Sequence, residues 1–143
     1  MISQTSEYAL RAVVCLAQNP GRPYTTVEIA KWTKVPEHYL SKVMLALAKH
    51  EVVYSKKGLH GGYMLAHEPE NLPLLNIINA VDPIKPIKSC PLKLESHGTN
   101  LCRLHKRVND AIKTVEDMFS SSTIAMILNE PTKSIPLCET INR

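Results

Sequence analysis

Apolar residues recur at helical spacing through the first fifty positions. Ala9, Leu10, Val13, Val14, Leu16 and Ala17 make one apolar face over residues 3–18, which predicts a first helix with Thr5 or Ser6 as its cap. Asn19, Pro20, Gly21, Arg22 and Pro23 are turn residues that end it. Residues 25–33 predict a short second helix. Thr25 and Glu28 stand three apart, so each side chain can satisfy a backbone N–H of the first turn, and Ile29 and Trp32 are expected in the core. Pro36 suits the first position of a third helix over 36–50. Leu40, Val43, Met44 and Leu47 share its apolar face, whereas His38, Ser41, Lys42 and Lys49 share its polar face.

The period then shortens. Residues 52–55 and 63–66 read as two strands around a turn in which Lys56, Lys57 and His60 stand beside Gly58, Gly61 and Gly62. Tyr54 and Tyr63 flank the turn. Glycine admits positive φ and lets a backbone come close to phosphate. Two helices, a tight turn and a basic hairpin predict a winged helix-turn-helix over residues 1–82. The fold class expected is mainly α with a small β-hairpin wing and a long dimerisation helix.

Residues 71–82 predict another short helix through Leu75, Ile78 and Val81. Pro83, Pro86 and Pro91 mark residues 83–102 as a connector and cysteine loop. Residues 103–128 predict a long amphipathic helix whose stripe runs through Leu104, Val108, Ala111, Val115 and Met118, with Leu101 just before it. Dimerisation is the favoured use of that stripe, and packing onto its own domain is the alternative. The tail 129–143 shows little regular pattern.

Charge sharpens the picture. The net charge is +4, and residues 1–67 hold eight Lys/Arg against four acids, whereas residues 68–143 hold nine of each. The whole excess lies with the predicted helix-turn-helix, as a phosphate-binding surface requires. His38, Tyr39, Ser41 and Lys42 near the start of the third helix, with Lys56, Lys57 and His60 in the wing, are the candidate contacts to double-stranded DNA.

No apolar run is long enough to suggest a membrane span, and the start lacks the pattern of a secretory signal, so a cytoplasmic protein is expected. The four cysteines then read as thiols or metal ligands. Cys90 and Cys102 bound a loop that holds His97, and His105 follows Cys102 by three residues. Thiolate and imidazole together suit zinc or an iron–sulfur centre, but two cysteines and one histidine leave four-coordination incomplete. Two reduced thiols, or a redox pair, are the other readings. Cys15, among Val14, Leu16 and Ala17, is expected to be a small buried apolar group. The role of Cys138 is open.

The segments YLSKVMLALAKHEVVYSKKGLHGGYML and EYALRAVVCLA resemble the winged-helix regulators of the Rrf-two superfamily, which includes IscR-, NsrR- and RsrR-like members. The resemblance runs from residue 1 to about residue 128. Ser55, Lys57, Gly58, Gly61, Gly62 and Tyr63 match the family wing, although the family usually has arginine where Lys57 stands. It implies a homodimer on a palindromic operator, with the long helices crossed between subunits. It also implies a [2Fe–2S] cluster on a loop of three cysteines in many members. Cys90 and Cys102 match the first and third of these, and Ser96 replaces the second. Relatives that use a carboxylate from the partner's first helix, or a histidine after the third cysteine, suggest a mixed site of Cys90, Cys102, His105 and Glu7 of the partner subunit. His97 is the alternative imidazole.

The expected function is that of a DNA-binding transcriptional regulator, a repressor by preference, switched by a cluster that senses redox state, nitric oxide or iron–sulfur status. A cluster-free regulator controlled by thiol oxidation, another metal or a partner protein is the alternative. A cysteine-dependent enzyme is remote, because no base or oxyanion site accompanies Cys90 or Cys102.

Overall fold

The computed structural model describes residues 2–98 and 100–137. Helix α1 (Gln4–Gln18) lies at the centre of the fold, against the second, third, fourth and last helices and the wing. Its cap is Ser3, not Thr5 or Ser6: the Ser3 hydroxyl accepts the Ser6 N–H at 3.1 Å, and Ser6 itself is buried. Ala9, Ala12 and Val13 are wholly enclosed. Two of these are alanines, which allows other elements to approach the α1 backbone closely.

Helix α2 (Thr26–Thr33) carries the expected reciprocal cap. Thr25 Oγ1 accepts the Glu28 N–H at 3.3 Å, and Glu28 Oε2 accepts the Thr25 N–H at 2.8 Å. Arg22 also donates to Glu28, at 2.9 Å, and with the Thr25 N–H it pulls the carboxyl pKa down to about 2. Lys34 ends α2 in the left-handed conformation, with φ 56°, and Val35 is buried in the turn. Helix α3 (Glu37–Lys49) follows. Pro36 is its cap rather than its first helical residue, because ψ of 131° keeps Pro36 extended. Leu40, Val43, Met44 and Leu47 are buried as the pattern predicts, and each such side chain contributes about 1.5–3 kcal/mol relative to exposure. Trp32 departs from expectation. It is 41% exposed and lies across Tyr24, with ring centroids 5.0 Å apart, because Ile29 and Thr33 already occupy the inward face of the short α2.

Strands β1 (Val53–Lys56) and β2 (Gly62–Leu65) pair antiparallel, with Val53 opposite Leu65 and Lys56 opposite Gly62. A third segment joins them. The Tyr63 N–H donates to Tyr24 O at 2.7 Å, and the Tyr24 N–H donates to Tyr63 O at 3.1 Å. The wing is therefore bonded to the chain just before α2. Gly62 makes that approach possible, since its φ is 146° and a Cβ there would collide with the Tyr24 backbone.

A 3-10 turn (Pro69–Asn71) leads into α4 (Leu74–Val81), a little shorter than the expected 71–82. No helix or strand occurs among the described residues of 83–102. Helix α5 (Arg103–Ser121) has no buried residue and packs on one side against α4. It stops seven residues before the predicted end at Leu128. Ser120, Ser121 and Ser122 turn their hydroxyls back onto carbonyls of the last turn, and Thr123 then caps a separate helix, α6 (Ile124–Asn129). Ile124 is fully buried in the core, and the pairings Leu74 N–H to Ser122 O and Ile124 N–H to Leu72 O clamp α6 beside α4.

Two glycines separate steric fit from conformational freedom. Gly21 has φ 107° with open space around it, whereas Gly62 combines positive φ with a backbone contact. Gly21→Ala is expected to cost about 1 kcal/mol, and Gly62→Ala more than about 3 kcal/mol because both terms apply. Urea unfolding of the two variants measures the difference.

Candidate DNA interface and cysteine loop

The turn between α2 and α3 presents the first turns of α3 to solvent. His38 and Lys42 are exposed, and Ser41 is half-buried with its hydroxyl donating to Glu37 O at 3.0 Å. The Ser41 oxygen retains a free acceptor site, so the back-bond does not remove it from recognition. Tyr39 is 52% exposed and its ring lies against His38, with centroids 4.2 Å apart. Lys56, Lys57 and His60 are exposed on the hairpin. The ion pairs among the described residues are Glu7–Arg11, Arg22–Glu28 and Lys106–Asp110. Lys42, Lys49, Lys56 and Lys57 take part in none of them, which leaves their ammonium groups available to phosphate.

Two apolar residues on this surface escape a reading based on charge. Leu45 is 64% exposed on α3, one helical step beyond Ser41 and Lys42, and Leu59 is 95% exposed at the wing tip. Helical spacing from His38 would have found Leu45. The sequence signal for Leu59 is its place between two glycines in a basic turn.

The cysteine loop holds two thiol–imidazole pairs. Cys90 is buried, its N–H donates to Gly98 O at 3.4 Å, and its Sγ lies 3.7 Å from His97 Nδ1. Cys102 occupies the N-cap position of α5 without a side-chain capping bond, with Sγ 3.4 Å from His105 Nδ1. Glu7 is engaged in its own protomer, where it accepts from Arg11 Nε at 2.8 Å. Arg11 Nη1 also donates to Thr33 O at 3.1 Å, which links Glu7 to the turn before α3. Among the described residues, no group of three or more His, Cys, Asp or Glu side chains is placed to hold a metal. Of the expected ligands, the structure brings Cys102 to His105 and pairs Cys90 with His97, the alternative imidazole. It does not gather Cys90, Cys102, His105 and Glu7 within one protomer. A three-thiolate cluster does not fit this chain, because Ser96 supplies a hydroxyl where a thiolate would be needed. Cys15 is a core residue as expected, and burial pushes its thiol up to about 11. Cys138 lies outside the described residues.

A recognition helix, a basic wing and a turn that orients both define a winged helix-turn-helix protein of the DNA-binding class. The family model described as "Rrf2: Iron-dependent Transcriptional regulator" matches residues 2–130, and the chain belongs to that family. It is 36% identical to a putative HTH-type transcriptional regulator of Aquifex aeolicus, over 90% of this chain and 92% of the relative. It is 31% identical to the HTH-type transcriptional regulator CymR of Bacillus subtilis, over 87% of this chain and 88% of the relative. Among solved structures, T. potens IscR superposes with a TM-score of 0.72 at 26% identity, covering 90% of this chain and 85% of that one. The protein is a transcriptional regulator, and the enzyme alternative falls. No helix among the described residues is long and apolar enough to cross a membrane.

Lys57 tests the wing's part in this interface. Lys57→Ala is expected to weaken binding to all duplexes alike and to lower the slope of log affinity against log salt by about 0.9, one phosphate contact. Fluorescence-anisotropy titrations across a salt series measure that slope.

Proposed function

We propose that this protein is a homodimeric regulator that binds a palindromic operator through α3 and the wing, with the cysteine loop as its input. The observation that carries the dimer is the state of α5. Leu104 is 66% exposed, Val108 42% and Met118 65%, on one stripe of a helix with no buried residue. Such a stripe gains stability when a second α5 covers it. Crossed α5 helices would set the two α3 helices about one DNA turn apart, roughly 34 Å. A cytoplasmic site of action follows from binding DNA, and repression is the mode we favour.

The two thiol–imidazole pairs support input through reversible thiol chemistry at Cys90 and Cys102. Each thiol has an imidazole nitrogen within 3.7 Å. Cys102 stands at the N-cap position of α5, so modification there bears on the dimer helix directly. The family's description as iron-dependent favours a second reading, a mixed-ligand [2Fe–2S] site of Cys90, Cys102, His105 or His97, and Glu7 of the partner subunit. Such a group would supply one-electron redox chemistry. In the cluster reading Arg11 is the residue through which a change at Glu7 reaches Thr33 and the turn before α3.

Anaerobic purification with iron and sulfide assays, beside Cys90→Ala and Cys102→Ala, separates the two. Thiol input predicts a colourless protein without iron or sulfide, whose affinity for DNA enriched from a random-sequence pool changes on mild oxidation and recovers on reduction. A coloured protein that loses iron and sulfide in both variants establishes the cluster instead. Unchanged affinity across every state removes the loop as an input.

A further inference from the structure

We propose that Leu59 is a wedge that enters the minor groove, partly unstacks one base step and bends the bound DNA. The proposal rests on the DNA-binding role of the wing and adds to it a distinct physical action.

Leu59 is the most open of the exposed large apolar side chains among the described residues, at 95%. It is also held firmly. The Gly61 N–H donates to Gly58 O at 3.0 Å, which closes a tight turn with Leu59 and His60 at its two corners. Gly58 has φ 110°, and a Cβ on Gly61 would strike the Lys56 carbonyl, so glycine is needed on both sides of the corner. The hairpin beneath is anchored through Tyr63 to Tyr24. The side chain therefore projects from a turn whose backbone is fixed before any ligand arrives.

Its surroundings point to DNA as the occupant. Lys56 and Lys57 precede it and His60 follows it, all exposed. Neither lysine is in an ion pair among the described residues. No other apolar side chain stands beside it in the turn to make the contiguous patch a protein partner would need. A single apolar side chain between cations matches a groove with anionic walls and an apolar stack of bases at its floor. Proteins that insert such a wedge kink the duplex by roughly 20–90° toward the major groove. Pyrimidine–purine steps unstack most readily, so TA or CA steps are expected beneath the wing.

The test uses the full-length protein and duplexes enriched by it from a random-sequence pool. The duplexes carry a donor and acceptor dye at their ends, or 2-aminopurine at successive steps. Wild type is expected to shorten the end-to-end distance and to brighten 2-aminopurine at one step in each half-site. Leu59→Ala should keep the salt slope, lose most of the bend and the brightening, and weaken binding by roughly tenfold, as for one lost apolar contact. Leu59→Phe should restore the bend. Wild type that binds duplex without bending it overturns the wedge and leaves the regulator intact. An equal bend with Leu59→Ala also overturns it. Failure of wild type to bind any duplex overturns both.

Discussion

The backbone pairing of Tyr24 with Tyr63 is the constraint on which the DNA-binding surface depends. It ties the hairpin to the segment that enters α2, so wing and recognition helix are oriented by one continuous piece of structure. The pairing needs the Tyr24 backbone to pass where a side chain at position 62 would stand, and glycine removes that obstacle. Trp32 and Arg22 close over the same place, the ring at 5.0 Å and the guanidinium at 4.0 Å from the Tyr24 ring. A short two-stranded sheet is marginal by itself, so this anchorage is what gives the wing a fixed direction.

Helix α1 carries the same logic to the rest of the chain. It touches α2, α3 and β2 of the DNA-binding part as well as α4 and α6. Arg11 adds a polar link across it, holding Glu7 and the last carbonyl of α2 at once. Helix α5 stands apart from this core, attached mainly through α4, with its stripe of Leu104, Val108 and Met118 uncovered. The long helix and the DNA-reading elements thus share few contacts. Within the protomer, α4 and α1 are the elements that connect them.

Much of this was legible in the residue pattern, and the failures have physical causes. The capping box at Thr25 and Glu28, the buried face of α3 and the glycine wing are local signals, and local signals survive folding. Apolar spacing continues past Ser121, so the pattern predicts one helix through Leu128. The serine and threonine hydroxyls that break it act through backbone bonds that a hydrophobic period does not register. The residue pattern puts Trp32 in the core with Ile29, yet an eight-residue helix offers too narrow an inward face to take both. Legibility was poorest at the candidate site. Charge pointed to the lysines but passed over Leu45 and Leu59, and ligand spacing could not foresee that each cysteine would take its own histidine.

The central claim is that two copies of this winged helix read one DNA face together. Hydroxyl-radical footprinting on duplexes enriched by the protein tests it most directly. The account predicts two symmetric protected patches about one helical turn apart, roughly 34 Å, each flanked by minor-groove protection from a wing. A single unpaired patch, or protection without the flanking minor-groove signal, would contradict it.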